Sequence, residues 1–305
     1  MLHETKLMPP RTDTWCYSNG RSRCLRLALA LVSAAIVQIP ASCLADAVGT
    51  IVPAYFYPGT GGPGSVGDGW AAMAAAAAEI PVTAILNPNS GPLPGPPDPN
   101  YVNAITNLEK AGGHVVAYIY TGDGGVPLAT VEGEVSTYIT QYGGLIGGFF
   151  VDAMSLAPST LSYYQDLDGY IKGLNPSYTV IGNTGNPRLH GVSPTDYLST
   201  ADVFDIFEGP PDPGSAGFRD YPYGEDWFMN YPSDRFSNII YGVPASAFLP
   251  DLNEALQLNA GDIYITDLSG PNPYEQLPSL NSNAIPLNQY FRSHFYFRLS
   301  ISDYQ

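Results

Sequence analysis

The amino-acid sequence predicts a single (β/α)8 TIM-type barrel. Strand-like and helix-like segments alternate from Gly49 to Asp267, the pattern of a parallel sheet covered by helices. Eight strand candidates fall within about 220 residues, a size such a barrel commonly has. Several of these strands end in a polar residue, most plainly the run Gly147-Gly148-Phe149-Phe150-Val151-Asp152, where a buried apolar stretch stops at one carboxylate. Strand C-termini of a barrel share one face, and sites are built there. An isolated Asp at such a place reads rather as a helix cap or loop anchor; the repetition along the chain favours a site. A doubly wound open sheet is the alternative. No Gly-x-Gly-x-x-Gly turn follows the first strand, which counts against a dinucleotide fold.

Taken in order, residues 50–57 (TIVPAYFY) read as the first strand. After a Gly/Pro loop, residues 70–79 form a helix whose Ala run suits close packing on a sheet. Residues 82–87 are strand two. A Pro/Gly loop over 88–99 leads to a helix that starts at Asp98 or Asn100 and ends near Lys110. Strand three spans 114–121, with a helix over 128–142. Strand four spans 146–152, with a helix over 160–174. Strand five spans 178–183, with a short helix at 194–200. Strand six spans 203–208. A long loop of Pro, Gly and aromatics follows to about Trp227, then a helix near 231–236. Strand seven spans 238–244, with a helix over 251–259, and strand eight spans 262–267. The segment 289–301 suits either a last helix or an added strand.

The N-terminus reads as an export signal. Arg21, Arg23 and Arg26 precede an apolar stretch over 27–37, short for a bilayer span, and small residues follow at 41–47. Cleavage after Ala45 or Ala47 fits, and Met8 is a second candidate start. An uncleaved signal anchor is the alternative, and Pro40-Ala41-Ser42-Cys43 is a weak lipoprotein box. The expected organisation is a leader over 1–47, a barrel over 48–280 and a C-terminal extension over 281–305 packed on it. The protein is expected to be secreted or periplasmic, with no membrane contact after cleavage. All three cysteines (Cys16, Cys24, Cys43) fall in the leader. A cleaved chain would have no disulfide, no Cys nucleophile and no Cys metal site.

Charge narrows the partners. The net charge is −16, and beyond residue 46 seven basic residues face 25 acidic ones. Such a surface repels nucleic acid and tolerates or attracts a cationic polymer; acidity that merely maintains solubility is the plainer reading. Charged residues make up 13% of the chain, so Asn, Ser, Thr and Tyr must supply much of the polar surface. The 22 tyrosines offer faces for flat ligands such as sugar rings, although Tyr is also an ordinary barrel residue.

The strand ends deliver Tyr57, Asn87, Thr121, Asp152, Asn183, Glu208 and Asp267 to one face, with Tyr55, Tyr118 and Asp123 nearby. Two carboxylates from different strands suit glycoside hydrolysis. One protonates the leaving oxygen, and the other attacks the anomeric carbon or activates water. Asp152 and Glu208 are the expected pair. Tyr55, Tyr57, Asn87, Tyr118, Asp123, Asn183 and Asp267 are expected to bind substrate, with Tyr223 or Trp227 stacking on sugar from the long loop. Carboxylates in such positions also cap helices, bind cations or hold loops. His3, His114, His190 and His294 have no metal-ligand spacing. Gly122-Asp123-Gly124-Gly125 lacks the Lys-Ser/Thr of a phosphate loop, and a Gly-x-Ser-x-Gly elbow is absent. No metal or cofactor is therefore expected.

These residues carry a family resemblance. Ile51-Val52-Pro53-Ala54-Tyr55-Phe56-Tyr57-Pro58, followed by Ile85-Leu86-Asn87-Pro88-Asn89-Ser90-Gly91-Pro92, resembles the spherulin-4-like proteins. So do Pro99-Asn100-Tyr101, residues 147–152 and 203–209, Tyr264-Ile265-Thr266-Asp267 and Asn272-Pro273-Tyr274, in the same order. That family resembles glycoside hydrolase family 135. The resemblance implies a (β/α)8 barrel and endo-type cleavage of an N-acetylgalactosamine-containing exopolysaccharide of the biofilm kind. A partly deacetylated, cationic polymer of this kind suits the acidic surface. Asp152 and Glu208 match family acids. Where the family pattern reads Phe-Phe-Asp-Glu, this chain has Phe150-Val151-Asp152-Ala153, so one family carboxylate is missing. Gly182-Asn183-Thr184-Gly185-Asn186-Pro187 also departs from the family's Asn-Pro-Gly stretch. Two readings follow: a secreted polysaccharide hydrolase running on Asp152 and Glu208, or a non-catalytic glycan-binding or extracellular-matrix protein on a degenerate barrel.

Overall fold

The computed structural model describes residues 48–59, 69–211 and 217–278. The expected leader and the extension over 281–305, with its segment 289–301, lie outside the described residues. Eight strands form one parallel sheet in chain order: β1 (Thr50–Ala54), β2 (Val82–Leu86), β3 (His114–Tyr120), β4 (Gly148–Asp152), β5 (Thr179–Asn183), β6 (Val203–Gly209), β7 (Phe236–Ile240) and β8 (Asp262–Ile265). A parallel bridge between Gly49 and Asp262 brings the first strand against the last. It is carried by Gly49 N–H to Gly261 O at 3.0 Å and Ile263 N–H to Gly49 O at 3.1 Å. The expected barrel is therefore present.

Helices α1 (Gly69–Ala77), α2 (Pro99–Lys110), α3 (Leu128–Tyr142), α4 (Leu161–Leu174), α5 (Pro194–Tyr197) and α6 (Phe248–Gln257) supply the outer layer. The Ala run of α1 buries Trp70, Met73 and Ala76. In α2 the residues Tyr101, Ala104, Ile105 and Leu108 recur at helical spacing and form its buried stripe. Asp98 caps that helix, accepting the Asn100 N–H at 2.8 Å, with Pro99 in the first turn.

Two apolar layers result. One lies between sheet and helices. The other fills the barrel with Ile51, Ile85, Val116, Tyr118, Phe150 and Ile181. Fully burying such a side chain is worth roughly 1.5–3 kcal/mol, so the interior is a packed floor beneath the strand ends.

Two expectations change. The helix expected near 231–236 is reduced to a single 3-10 turn at Ser233–Arg235, and strand seven starts earlier than 238. Short 3-10 turns at Phe218–Asp220, Trp227–Asn230 and Ser233–Arg235 occupy the β6–β7 connection. Arg235 donates to the carbonyls of Leu198, Ala201 and Asp202, which ties the last turn to the neighbouring loop. Phe236 then enters β7, packed against Trp227 and Phe228. The strands are also shorter than expected at several ends. β1 stops at Ala54, so Tyr55 and Tyr57 lie in the loop beyond it.

Candidate active site

Asp152 is the last residue of β4 and Asn183 the last of β5. Glu208 sits near the end of β6, after a register shift between Asp205 and Phe207. Residues three apart on a regular strand face opposite sides. The irregularity leaves Asp205 and Glu208 near enough for the Glu208 charge to bear on Asp205.

The centre of the site is one amide between two carboxylates. Asn183 Nδ2 donates to Asp152 Oδ1 at 2.9 Å and to Glu208 Oε2 at 2.5 Å. The outer oxygens are held by phenols: Tyr118 donates to Asp152 Oδ2 and Tyr274 to Glu208 Oε1, each at 2.6 Å. Tyr55 packs edge-on against both Tyr118 and Tyr274, with ring centroids at 5.7 and 5.5 Å. Burial pushes the hydroxyls of Tyr55, Tyr118 and Tyr274 up from their ordinary value, and the nearby carboxylates push the same way. All three stay neutral, and Tyr118 and Tyr274 donate.

The end of β4 is anchored from below. Thr121 Oγ1 donates to the carbonyls of Asp152 and Ala153 at 2.9 and 2.8 Å, and Asp123 N–H reaches Ala153 O at 2.8 Å. These bonds hold Ala153 at φ 50°, a left-handed conformation uncommon for a residue with a Cβ.

Glu208 has its carboxyl raised above the usual range, chiefly by burial and secondarily by Asp152; the donors Tyr274 and Asn183 pull it back part-way. A carboxyl whose acidity is weakened beside a second carboxylate can serve as an acid paired with a nucleophile or base. The two open into a cleft of about 640 Å³, lined by Tyr55, Asn87, Tyr118, Tyr241 and Tyr274 together with the loops 88–90 and 270–273. Among the described residues, no three His, Cys, Asp or Glu side chains are placed to hold a metal.

Of the residues expected from sequence, Tyr55, Asn87, Tyr118, Asp152, Asn183 and Glu208 come together here. Asn87 also shapes its loop, accepting the Gly91 N–H at 3.1 Å. Others lie elsewhere. Tyr57 is exposed on the rim, bonded to Asp98 and Asn100. Asp123 borders a separate small cavity with Arg188 and His190. Tyr223 lies under the Arg188 guanidinium at 5.0 Å, and Asp267 is half-buried beyond β8 and outside the cleft lining. Trp227 corrects the expectation of a stacking platform. It is buried among Tyr197, Phe228 and Phe236, and its Nε1–H donates to Pro187 O at 2.7 Å. Tyr274 and Tyr241 were missed as site residues. Tyr274 stood in the Asn272-Pro273-Tyr274 motif, which was the one available signal.

The chain matches spherulation-specific family 4 over residues 49–286. It belongs to that family. Spherulin-4 of Physarum polycephalum is 30% identical over 251 residues, covering 79% of this chain and 69% of that protein. Aspergillus clavatus Sph3, whose crystal structure is a complex with GalNAc, is similar with a TM-score of 0.60 and 25% identity, over 77% of this chain and 94% of that one. The glycoside hydrolase domain of PelA from Pseudomonas aeruginosa aligns with a TM-score of 0.42 and 13% identity, over 74% and 96%. The family assignment agrees with the spherulin-4-like resemblance drawn from the sequence.

Proposed function

We propose that this spherulin-4 family member is a secreted glycoside hydrolase that cleaves an N-acetylgalactosamine-containing, partly deacetylated polysaccharide with Asp152 and Glu208. The observation that carries the reading is the single Asn183 amide shared by both carboxylates. Groups that share one nitrogen are close together. Such proximity suits the retaining geometry, with carboxyls roughly 5–5.5 Å apart, better than the gap of about 6.5–9.5 Å that holds a water for inversion.

Glu208, with its raised carboxyl, gives its proton to the glycosidic oxygen as that bond breaks. Asp152 attacks the anomeric carbon and forms a glycosyl ester. Glu208, now a carboxylate, takes a proton from water, whose oxygen displaces Asp152 and frees the sugar. Tyr118 and Asn183 hold Asp152 in its attacking orientation throughout. The likeness to Sph3, crystallised with GalNAc, supports the choice of sugar. The acidic chain suits a polymer bearing free amines.

The test is release of oligosaccharides from such a polymer by the purified protein. Asp152→Asn should abolish release, and Glu208→Gln should lower it by about 10²–10⁴-fold, with wild-type circular dichroism in both. Full activity in either variant would remove that residue from the mechanism. A second reading, a glycan-binding protein without catalysis, is favoured by Ala153 in place of the family Glu. Binding of the polymer with no release by the wild type would select it.

A further inference from the structure

We propose that Asp205 is a positioning residue: it holds a proton and donates it to Asn183 Oδ1, fixing the amide that joins Asp152 to Glu208. The catalytic consequence rests on the hydrolase reading above, whereas the proton and its bond do not.

The amide has one workable orientation. Nδ2 faces two carboxylate oxygens at 2.9 and 2.5 Å. Turned end for end, Asn183 would set its own oxygen against the Asp152 carboxylate, which only accepts. With Nδ2 so placed, Oδ1 is buried and receives no hydrogen bond from the protein. Buried polar atoms are nearly always paired, so a donor is wanted at this oxygen.

Asp205 is the residue opposite Asn183 in the β5–β6 register, and it is fully buried. Its Oδ1 accepts the Ser237 hydroxyl at 3.2 Å, while Oδ2 is buried with no partner. Two oxygens on register-paired residues are thus each without a donor. One proton on Asp205 answers both, because a carboxylic acid is a donor and an amide oxygen an acceptor.

The electrostatic surroundings agree. The groups bearing on Asp205 are the acids Glu208 and Asp152 and the phenols Tyr55, Tyr197, Tyr221 and Tyr274. None is a cation. Burial first, and Glu208 second, push the Asp205 carboxyl well above the usual range, against the Ser237 hydroxyl and the Phe207 N–H, which favour its charged form. A proton held there restrains rotation of the Asn183 amide and so sets both carboxylates.

The test follows the Glu208 carboxyl by ¹³C NMR titration in the wild type and two variants. Asp205→Asn keeps a neutral donor of the same shape, so the Glu208 titration should stay within about 0.3 pH units of wild type. Asp205→Leu removes the donor and frees the amide, so Glu208 loses a hydrogen bond and should titrate at higher pH. If Asp205 is instead ionised, Asp205→Asn removes a negative charge and Glu208 moves to lower pH. That result overturns the proposal, as does a Glu208 titration unmoved in Asp205→Leu. In cleavage assays kcat should fall about 10–100-fold in Asp205→Leu with KM little changed, and the Asn variant should restore it. The titration reads out even if no polymer is cleaved, in which case the hydrolase reading alone fails.

Discussion

At the scale of single residues, the proposed acid role of Glu208 depends on what raises and lowers its carboxyl. Burial raises its carboxyl, and two donors, Tyr274 and Asn183, oppose that rise by stabilising the charged form. Tyr274→Phe removes one donor, at 2.6 Å. A hydrogen bond to a charged group is worth about 1.5–3 kcal/mol, so the carboxyl should rise by about one pH unit or more. If protonated Glu208 is the acid, the basic limb of kcat/KM moves to higher pH by that amount. A pH–rate profile checks it, and a limb that stays put or moves down would remove Glu208 as the acid. Asp152, Asn183 and Glu208 were legible in the sequence because each closes or nearly closes an apolar strand. Tyr274 follows β8 in a polar stretch without periodicity, and neither strand nor helix spacing could point its hydroxyl at Glu208.

At the scale of elements, the strands set the spacing of the site, and β4 lies close against β5. A Cβ on Gly148 would land on the backbone carbonyl of Thr179 in β5. Backbone cannot yield as a side-chain tip can, so Gly148→Ala should destabilise by at least about 3 kcal/mol and part Asp152 from Asn183. Gly169→Ala in α4 meets nothing within 4 Å, and should stabilise by about 0.5–1 kcal/mol. Urea denaturation of both variants measures the contrast; equal midpoints would disprove the close approach. Sequence reading placed β4 and α3 well because their apolar patterns are uninterrupted. It misplaced β7, where Ser237 and Asn238 are buried polar residues inside a strand and broke the apolar signal. The need for Ser237 lies in its bond to Asp205, a contact between strands that no local pattern carries. The β6 irregularity was hidden for the same reason, since its effect is on facing and not on composition.

At the scale of the whole molecule, acidity and stability are linked. Among the described residues, the carboxyls with displaced acidity are Glu109, Glu134, Asp168, Asp205, Glu208 and Asp262, and burial displaces each of them upward. A carboxyl raised by folding binds its proton more tightly in the folded chain than in the unfolded one. Its contribution is therefore complete below the ordinary carboxylate range and is lost as pH rises through the folded value. Asp262 shows the window, pushed up to about 6 by burial and by Asp234, at the seam where Gly49 meets β8. Its share is at most about 3 kcal/mol. The net charge of −16 adds self-repulsion in the same direction. The urea midpoint should accordingly be higher at pH 5 than at pH 8. Asp262→Asn, which cannot titrate, should flatten the fall between about pH 4 and 7 while leaving the remaining slope of the other buried carboxyls. A midpoint that does not fall from pH 5 to pH 8 would mean that the buried carboxyls are ionised in the fold, and would remove the proton proposed for Glu208 with theirs.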